Sequence, residues 1–192
     1  MASLKGITWM TKARITFVVL LAAAISAGCT GSESDARFGT AERLEGWNGI
    51  RNLSKDGRFY FGGQPNESTF RRLVEEEKIE LVVNLRLPRE MERLSIDESA
   101  LARELGIRYL NIPVEHGEIS AEDVDLFAGV VAETDGAVLL HCTSSNRVGG
   151  FWAAYLVRVH GFEIRDALAR GRAAGMSTDQ VAAAARRVME ER

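Results

Sequence analysis

The stretch AVLLHCTSSNRVGG, Ala137 to Gly150, decides how this chain is read. Four apolar residues lead into His141-Cys142. Four small polar residues follow, Thr143, Ser144, Ser145 and Asn146, and then Arg147 precedes Val148 and two glycines. An apolar run that ends in a loop of small residues reads as a buried strand handing over to a helix. Such a loop turns the backbone N–H groups of Thr143 to Arg147 into one concavity, and the helix start adds the positive end of its dipole. That concavity suits an oxyanion. Arg147 supplies a planar fork matched to two oxygens of a phosphate. A helix N-terminus and a nearby cation also favour the thiolate, the nucleophilic form of a cysteine. Cys142 is therefore expected as a nucleophile rather than as a small buried hydrophobe, with His141 packed behind the loop and orienting it by hydrogen bonding.

The rest of the chain supplies the frame. IELVVNL (79–85) and IRYLNIP (107–113) are two further near-continuous apolar strands, and IRNLSKDGRFYFGGQP (50–65) holds a hairpin around Asp56-Gly57. Phe70, Leu73 and Val74 recur at helical spacing. Ser95 with Glu98 reads as a capping box opening a helix that Gly106 closes. Ser120 caps a helix striped by Val124, Phe127, Ala128 and Val131, and further helices are expected over 148–160, 163–173 and 178–190. Strands joined through helices predict an α/β domain, a parallel-strand sheet with helices on both faces. The loops 86–94, 113–120 and 142–147 then emerge at the carboxyl ends of the strands, where open α/β sheets bind ligands. Arg86 is a candidate supporting residue there, in the pocket or in an ion pair with Glu90. Gln64 and Asn84 are expected as scaffold, the Phe151-Trp152-Tyr155 cluster as core, and His160 as a structural cation at a helix end.

Lys5, Lys12 and Arg14 precede an apolar run from Ile15 to Ala24, and the run closes on ISAGC (25–29), the layout of a secretory signal. Ala27-Gly28-Cys29 resembles the lipobox of bacterial lipoproteins. That resemblance implies a signal peptide over 1–28, acylation of Cys29 and a membrane anchor. Thr30 implies sorting to the outer membrane, with the protein facing the periplasm. Residues 29–45 are then the acylated N-terminus and a polar tether, leaving 46–192 for the folded domain. Cleavage removes three basic and no acidic side chains, so the net charge moves from −3 to −6, and no basic stripe remains to attract nucleic acid. Cys142 would be the only thiol besides the acylated one.

HCTSSNR (141–147) resembles the signature of cysteine-dependent tyrosine and dual-specificity phosphatases. FYFGGQP (59–65), VVNLR (82–86), Glu90, YLNIPV (109–114) and HCTSSNRVG (141–149) follow the order of the phosphatase-like domain of the beta-lactamase-hydrolase-like family, a bacterial branch of that fold. The resemblance spans roughly Asn52 to Gly161. It implies a phosphocysteine on Cys142, a phosphate held by residues 143–147, a phosphorylated protein or small molecule as substrate, and neither metal nor organic cofactor. The family's general acid is an aspartate on the loop after the preceding strand. No aspartate lies between Leu110 and Ala121, but PVEHGEIS (113–120) offers Glu115, His116 and Glu118. Alignment through YLNI places the acid at about His116, with Glu115 beside it.

Three departures carry expectations of their own. Four residues separate Cys142 from Arg147, usual for the bacterial branch but also the size of a rhodanese loop, so persulfide sulfurtransfer is an alternative. Ser145 stands where glycine is usual, a substitution that costs about 1 kcal/mol or more if the backbone there is left-handed. Val148 replaces a hydroxyl residue that helps the thiolate leave. Either Thr143 or Ser144 replaces it, or the domain is a non-catalytic phosphate-binding module.

Overall fold

A computed structural model of the chain describes residues 37–191. The expected signal segment, Cys29 and the first part of the tether lie outside the described residues. Four strands lie parallel, β3 (Phe59–Gly62), β6 (Ala137–His141), β4 (Ile79–Asn84) and β5 (Arg108–Asn111), adjacent in that order. Each crossover carries a helix, as parallel pairing requires. The sheet as a whole is mixed rather than parallel. The Asp56-Gly57 hairpin adds β2 (Ser54–Asp56) antiparallel to β3, and β1 (Glu42–Arg43) pairs antiparallel with β2.

Alternation along the strands divides the core. Phe59, Phe61, Leu81, Val83, Val138 and Leu140 face α4 (Ala121–Ala132), α5 (Asn146–His160), α6 (Ile164–Ala173) and α7 (Asp179–Glu190). Tyr60, Val82 and Leu139 face α1 (Glu67–Glu76) and α3 (Glu98–Glu104). Helices thus cover both faces, as expected for strands apolar on both sides. Ser120 caps α4 by accepting from the Asp123 N–H at 3.1 Å. The expected capping box at Ser95 does not form. Asp97 caps α3 by accepting from the Ala100 N–H, and Glu98 turns inward, 4 % exposed.

The stretch expected as tether contributes structure from Phe38 onward. The Phe38 ring packs against Phe59, Trp152, His160 and Phe162, and the Gly39 N–H donates to Asp56 Oδ1 at 2.7 Å. Burial, with Arg37 nearby, lowers the pKa of His160 and so disfavours the cation expected there; the ring packs against Phe38 and Tyr155.

α5 is buried at every residue from Asn146 to Val157. Gly149 is the reason it sits so deep. A Cβ there would collide with the Gly171 carbonyl and the Met176 backbone. The start of α5, which faces the carboxyl edge of the sheet, is fixed by this close approach. Among the described residues, no helix is long and apolar enough to cross a membrane.

Candidate active site

Cys142 follows β6 directly and is 1 % exposed. The ends of two neighbouring strands hold its backbone. The Cys142 N–H donates to the Gly62 carbonyl at 3.2 Å, and the Leu85 N–H to the His141 carbonyl at 2.8 Å. Beyond it the loop carbonyls turn outward to partners. Thr143 O accepts from the Gln64 N–H at 3.3 Å, and Ser144 O accepts from Asn52 Nδ2 at 2.8 Å. Among the described residues, no group accepts from the N–H of Thr143, Ser144, Asn146 or Arg147. A row of donors without protein acceptors at a helix N-terminus suits an anion.

Ser145 adopts φ 75°, the left-handed conformation expected of the glycine usual there. Its Oγ donates to the Ala174 carbonyl at 2.7 Å, and the room comes from Gly175, where a Cβ would lie 2.6 Å from Ser145 Cβ and Oγ. The strain, about 1–2 kcal/mol, is offset by a buried hydrogen bond worth about 0.5–1.5 kcal/mol. The Asn146 side chain serves α7 rather than the concavity. Its Oδ1 accepts from the N–H of Ser177 and Thr178, and its Nδ2 donates to Thr178 Oγ1 at 3.0 Å. It can contribute only main chain to an anion.

Arg147 is 1 % exposed. Its Nη1 donates to the carbonyls of Leu85 (3.2 Å) and Val114 (2.9 Å) and to Glu90 Oε2 (2.8 Å). Its Nη2 donates to Glu90 Oε1 (2.8 Å) and Thr143 Oγ1 (3.0 Å). Burial works against the charge, but Glu90 and the Cys142 sulfur outweigh it and raise the guanidinium's pKa. The edge of the fork expected for phosphate is thus partly occupied by Glu90. Nε has no partner among the described residues.

Glu90 stands on α2 (Pro88–Met91), a single turn within the expected loop 86–94. The expected Arg86–Glu90 ion pair does not form. Arg86 donates from Nη2 to the Glu90 carbonyl at 2.9 Å and from Nη1 to Gln64 Oε1 at 2.8 Å. The Glu90 carboxylate also accepts from the Leu87 N–H and the Thr143 hydroxyl. Burial alone would raise its pKa, but Arg147 above all holds it down at about 2.

A second buried carboxylate lies behind the loop. Glu98 accepts from Gln64 Nε2 (2.7 Å), Asn84 Nδ2 (2.8 Å) and the Tyr109 hydroxyl (3.4 Å). His141 Nε2 is 3.4 Å from Glu98 Oε2, yet neither ring nitrogen is hydrogen-bonded within the described residues. His141 therefore packs behind the loop as expected but does not orient it by hydrogen bonding. Burial raises the Glu98 pKa, and His141 with the Gln64 and Tyr109 donors outweighs it, leaving the group lowered. Burial and this carboxylate push the Tyr109 hydroxyl up.

The loop after β5 brings Glu115 to the rim, where its carboxylate pairs with Arg89 at 2.6 Å. His116 and Glu118 are exposed. The loop backbone is tied to α7, with Gln180 donating to the His116 carbonyl and Arg187 to that of Gly117. Sequence reasoning named Glu90 without its partner Arg147. It missed Asn52, whose φ of 54° is not legible in the residue type.

A mixed α/β sheet, parallel through the four strands β3, β6, β4 and β5, with a cysteine loop at their carboxyl edge and a buried arginine opening the next helix, fits the class of dual-specificity and tyrosine phosphatase domains. The chain belongs to the family described as DSP-PTPase phosphatase fused to NAD+ kinase, whose model matches residues 33–189. The beta-lactamase hydrolase-like protein of Xylella fastidiosa is 33% identical over 92 residues, 47% of this chain and 21% of that protein. The match therefore spans about a fifth of that relative's length. Among solved structures, Tk-PTP in its active form has TM-score 0.62 at 21% identity, covering 76% of this chain and 99% of its own. TpbA of P. aeruginosa in complex with pTyr has TM-score 0.59 at 22% identity, covering 79% of this chain and 89% of its own.

Two outcomes are expected. Ser145→Ala keeps the left-handed strain and leaves the Ala174 carbonyl unpaired, so urea unfolding should show a loss of about 1–3 kcal/mol. Ser145→Gly removes strain and bond together and should change stability by less than about 1 kcal/mol. The second outcome concerns acid. A carboxylate with a lowered folded pKa adds stability above its unfolded value, near 4.5, and loses it as pH falls toward 2. Glu90→Gln should therefore be less stable than the parent at pH 7, and urea midpoints of the two should converge as pH drops through that window.

Proposed function

We propose that this protein is a cysteine-dependent phosphatase that hydrolyses phosphate monoesters through a phosphocysteine on Cys142. The supporting observation is the set of unpaired main-chain N–H groups of Thr143, Ser144, Asn146 and Arg147 around a buried cysteine and a buried, charged arginine. The thiolate attacks phosphorus, the P–O ester bond breaks, and the leaving oxygen takes a proton from an acid on the 113–120 loop. Water then attacks phosphorus, the S–P bond breaks, inorganic phosphate departs, and the proton lost by the water returns to that acid. The non-bridging oxygens lie in the main-chain cradle, with Arg147 Nε as a further donor and Thr143 Oγ displaced from Nη2.

Glu115 is the first candidate acid by its place on the 113–120 loop, and it must leave its ion pair with Arg89 to carry a proton; His116 is the second. The Thr143 hydroxyl already donates to Glu90, which leaves Ser144 to hydrogen-bond the departing thiolate in place of the hydroxyl absent at Val148. Phosphotyrosine-like esters are suitable substrates, by analogy with the pTyr complex of TpbA. The N-terminal pattern supports export with Cys29 acylated, and so display of the domain on the periplasmic side of a membrane, the outer membrane by the residue at position 30.

Cys142→Ser should abolish aryl-phosphate hydrolysis while retaining the fold and phosphate binding; turnover persisting in that variant would overturn the mechanism. Glu115→Gln and His116→Asn separate the acids. The true acid's variant should fall by roughly 10²–10⁴-fold on phenyl phosphate and far less on nitrophenyl phosphate, whose leaving group needs no proton. Equal losses on both esters would remove the acid from this loop. The anchor is tested apart from activity. Full-length protein in a Gram-negative host should fractionate with membranes, Cys29→Ala should carry no lipid, and a mature N-terminus other than Cys29 would rule the anchor out.

A further inference from the structure

A cavity of about 320 Å³ opens beside Thr143, lined by Arg86, Arg89, Glu90, Arg93 and Leu94 as well. Thr143 is the chain neighbour of Cys142, so the cavity borders the loop that carries the proposed nucleophile. Its charge is unusual for a chain whose net is −3. Glu90 is neutralised by Arg147, so three arginines face a single remaining carboxylate, Glu115, which pairs with Arg89.

One of those arginines keeps an unpaired donor, and another has no acceptor among the described residues. Arg86 is 8 % exposed, yet its Nε has no hydrogen-bond partner among the described residues, and a buried guanidinium donor left unpaired is costly. Arg93 is exposed. Among the described residues it makes neither an ion pair nor a hydrogen bond. An anion in the cavity would pair with Arg93, share Arg89 with Glu115 and satisfy Arg86.

We propose that this cavity is a second anion subsite, so that the preferred substrates are phosphate monoesters carrying another anionic group, a phosphate or a carboxylate, beside the scissile ester. The inference rests on Cys142 being the phosphatase nucleophile. It adds what the reactive loop alone does not specify, the chemistry of the leaving group.

The test compares phenyl phosphate with 1,3-phenylene bisphosphate and 3-carboxyphenyl phosphate. The subsite predicts kcat/KM about tenfold higher for at least one ester with the second anionic group, carried mainly by KM and shrinking as salt rises. The bisphosphate and carboxylate arms show which second anion is read. In Arg93→Gln the ratio of that ester to phenyl phosphate should collapse toward one. Equal kcat/KM on all three esters, or a preference that survives Arg93→Gln, would overturn the subsite. If no ester is hydrolysed, the phosphatase reading fails. The subsite is then decided by calorimetry with 1,3-phenylene bisphosphate, where binding at least fivefold weaker in Arg93→Gln supports it and equal binding rejects it.

Discussion

A charged guanidinium with 1 % of its surface exposed has to be surrounded by acceptors, because the desolvation penalty of an unpaired buried ion is several kcal/mol. Arg147 is that ion, and its acceptors come from separate parts of the chain. Leu85 and Glu90 follow β4, Val114 follows β5, and Thr143 follows β6. One side chain thereby pins together the loops at the carboxyl edge of three strands. The active-site geometry is a consequence of satisfying this cation as much as of the sheet beneath it. Glu90 contributes most, since it alone offers a full charge, and its single helical turn exists where a plain loop was expected.

The elements that sequence reading recovered are those governed by local periodicity. The three apolar strands, the Ser120 cap and the helix stripes depend on neighbours a few residues away, so a linear pattern reports them. The cysteine loop was legible for a related reason. A strand end, small residues and an arginine adjoin in the chain, and together they report a strand–loop–helix junction whose main-chain N–H groups find few partners in the protein.

What was misread depends on partners distant in sequence. Glu98 matches a capping box locally, but its partners are Gln64, Asn84, Tyr109 and the His141 ring. Nothing within four residues of it announces that network. An ion pair with Glu90 was one of two roles offered to Arg86, its near neighbour, whereas the Glu90 carboxylate pairs with Arg147, fifty-seven positions away. The stretch after Arg37 looked like tether because it has few apolar residues. Phe38 anchors it in an aromatic cluster with residues of β3, α5 and the segment after α5, together with the Gly39–Asp56 hydrogen bond and the pairing of β1 with β2.

The braces on the reactive loop lie downstream of it. Ser145 is seated on Ala174, and Asn146 is locked by Ser177 and Thr178. A chain emerging from the ribosome therefore presents Cys142 and Arg147 before the residues that hold their loop have been made. The strands can pair early, but the cradle cannot take its final form until the last two helices arrive. Cys142 waits in an unbraced loop until residues 174–178 have followed it, and a protein cut short before Thr178 would carry the whole cysteine signature without its brace.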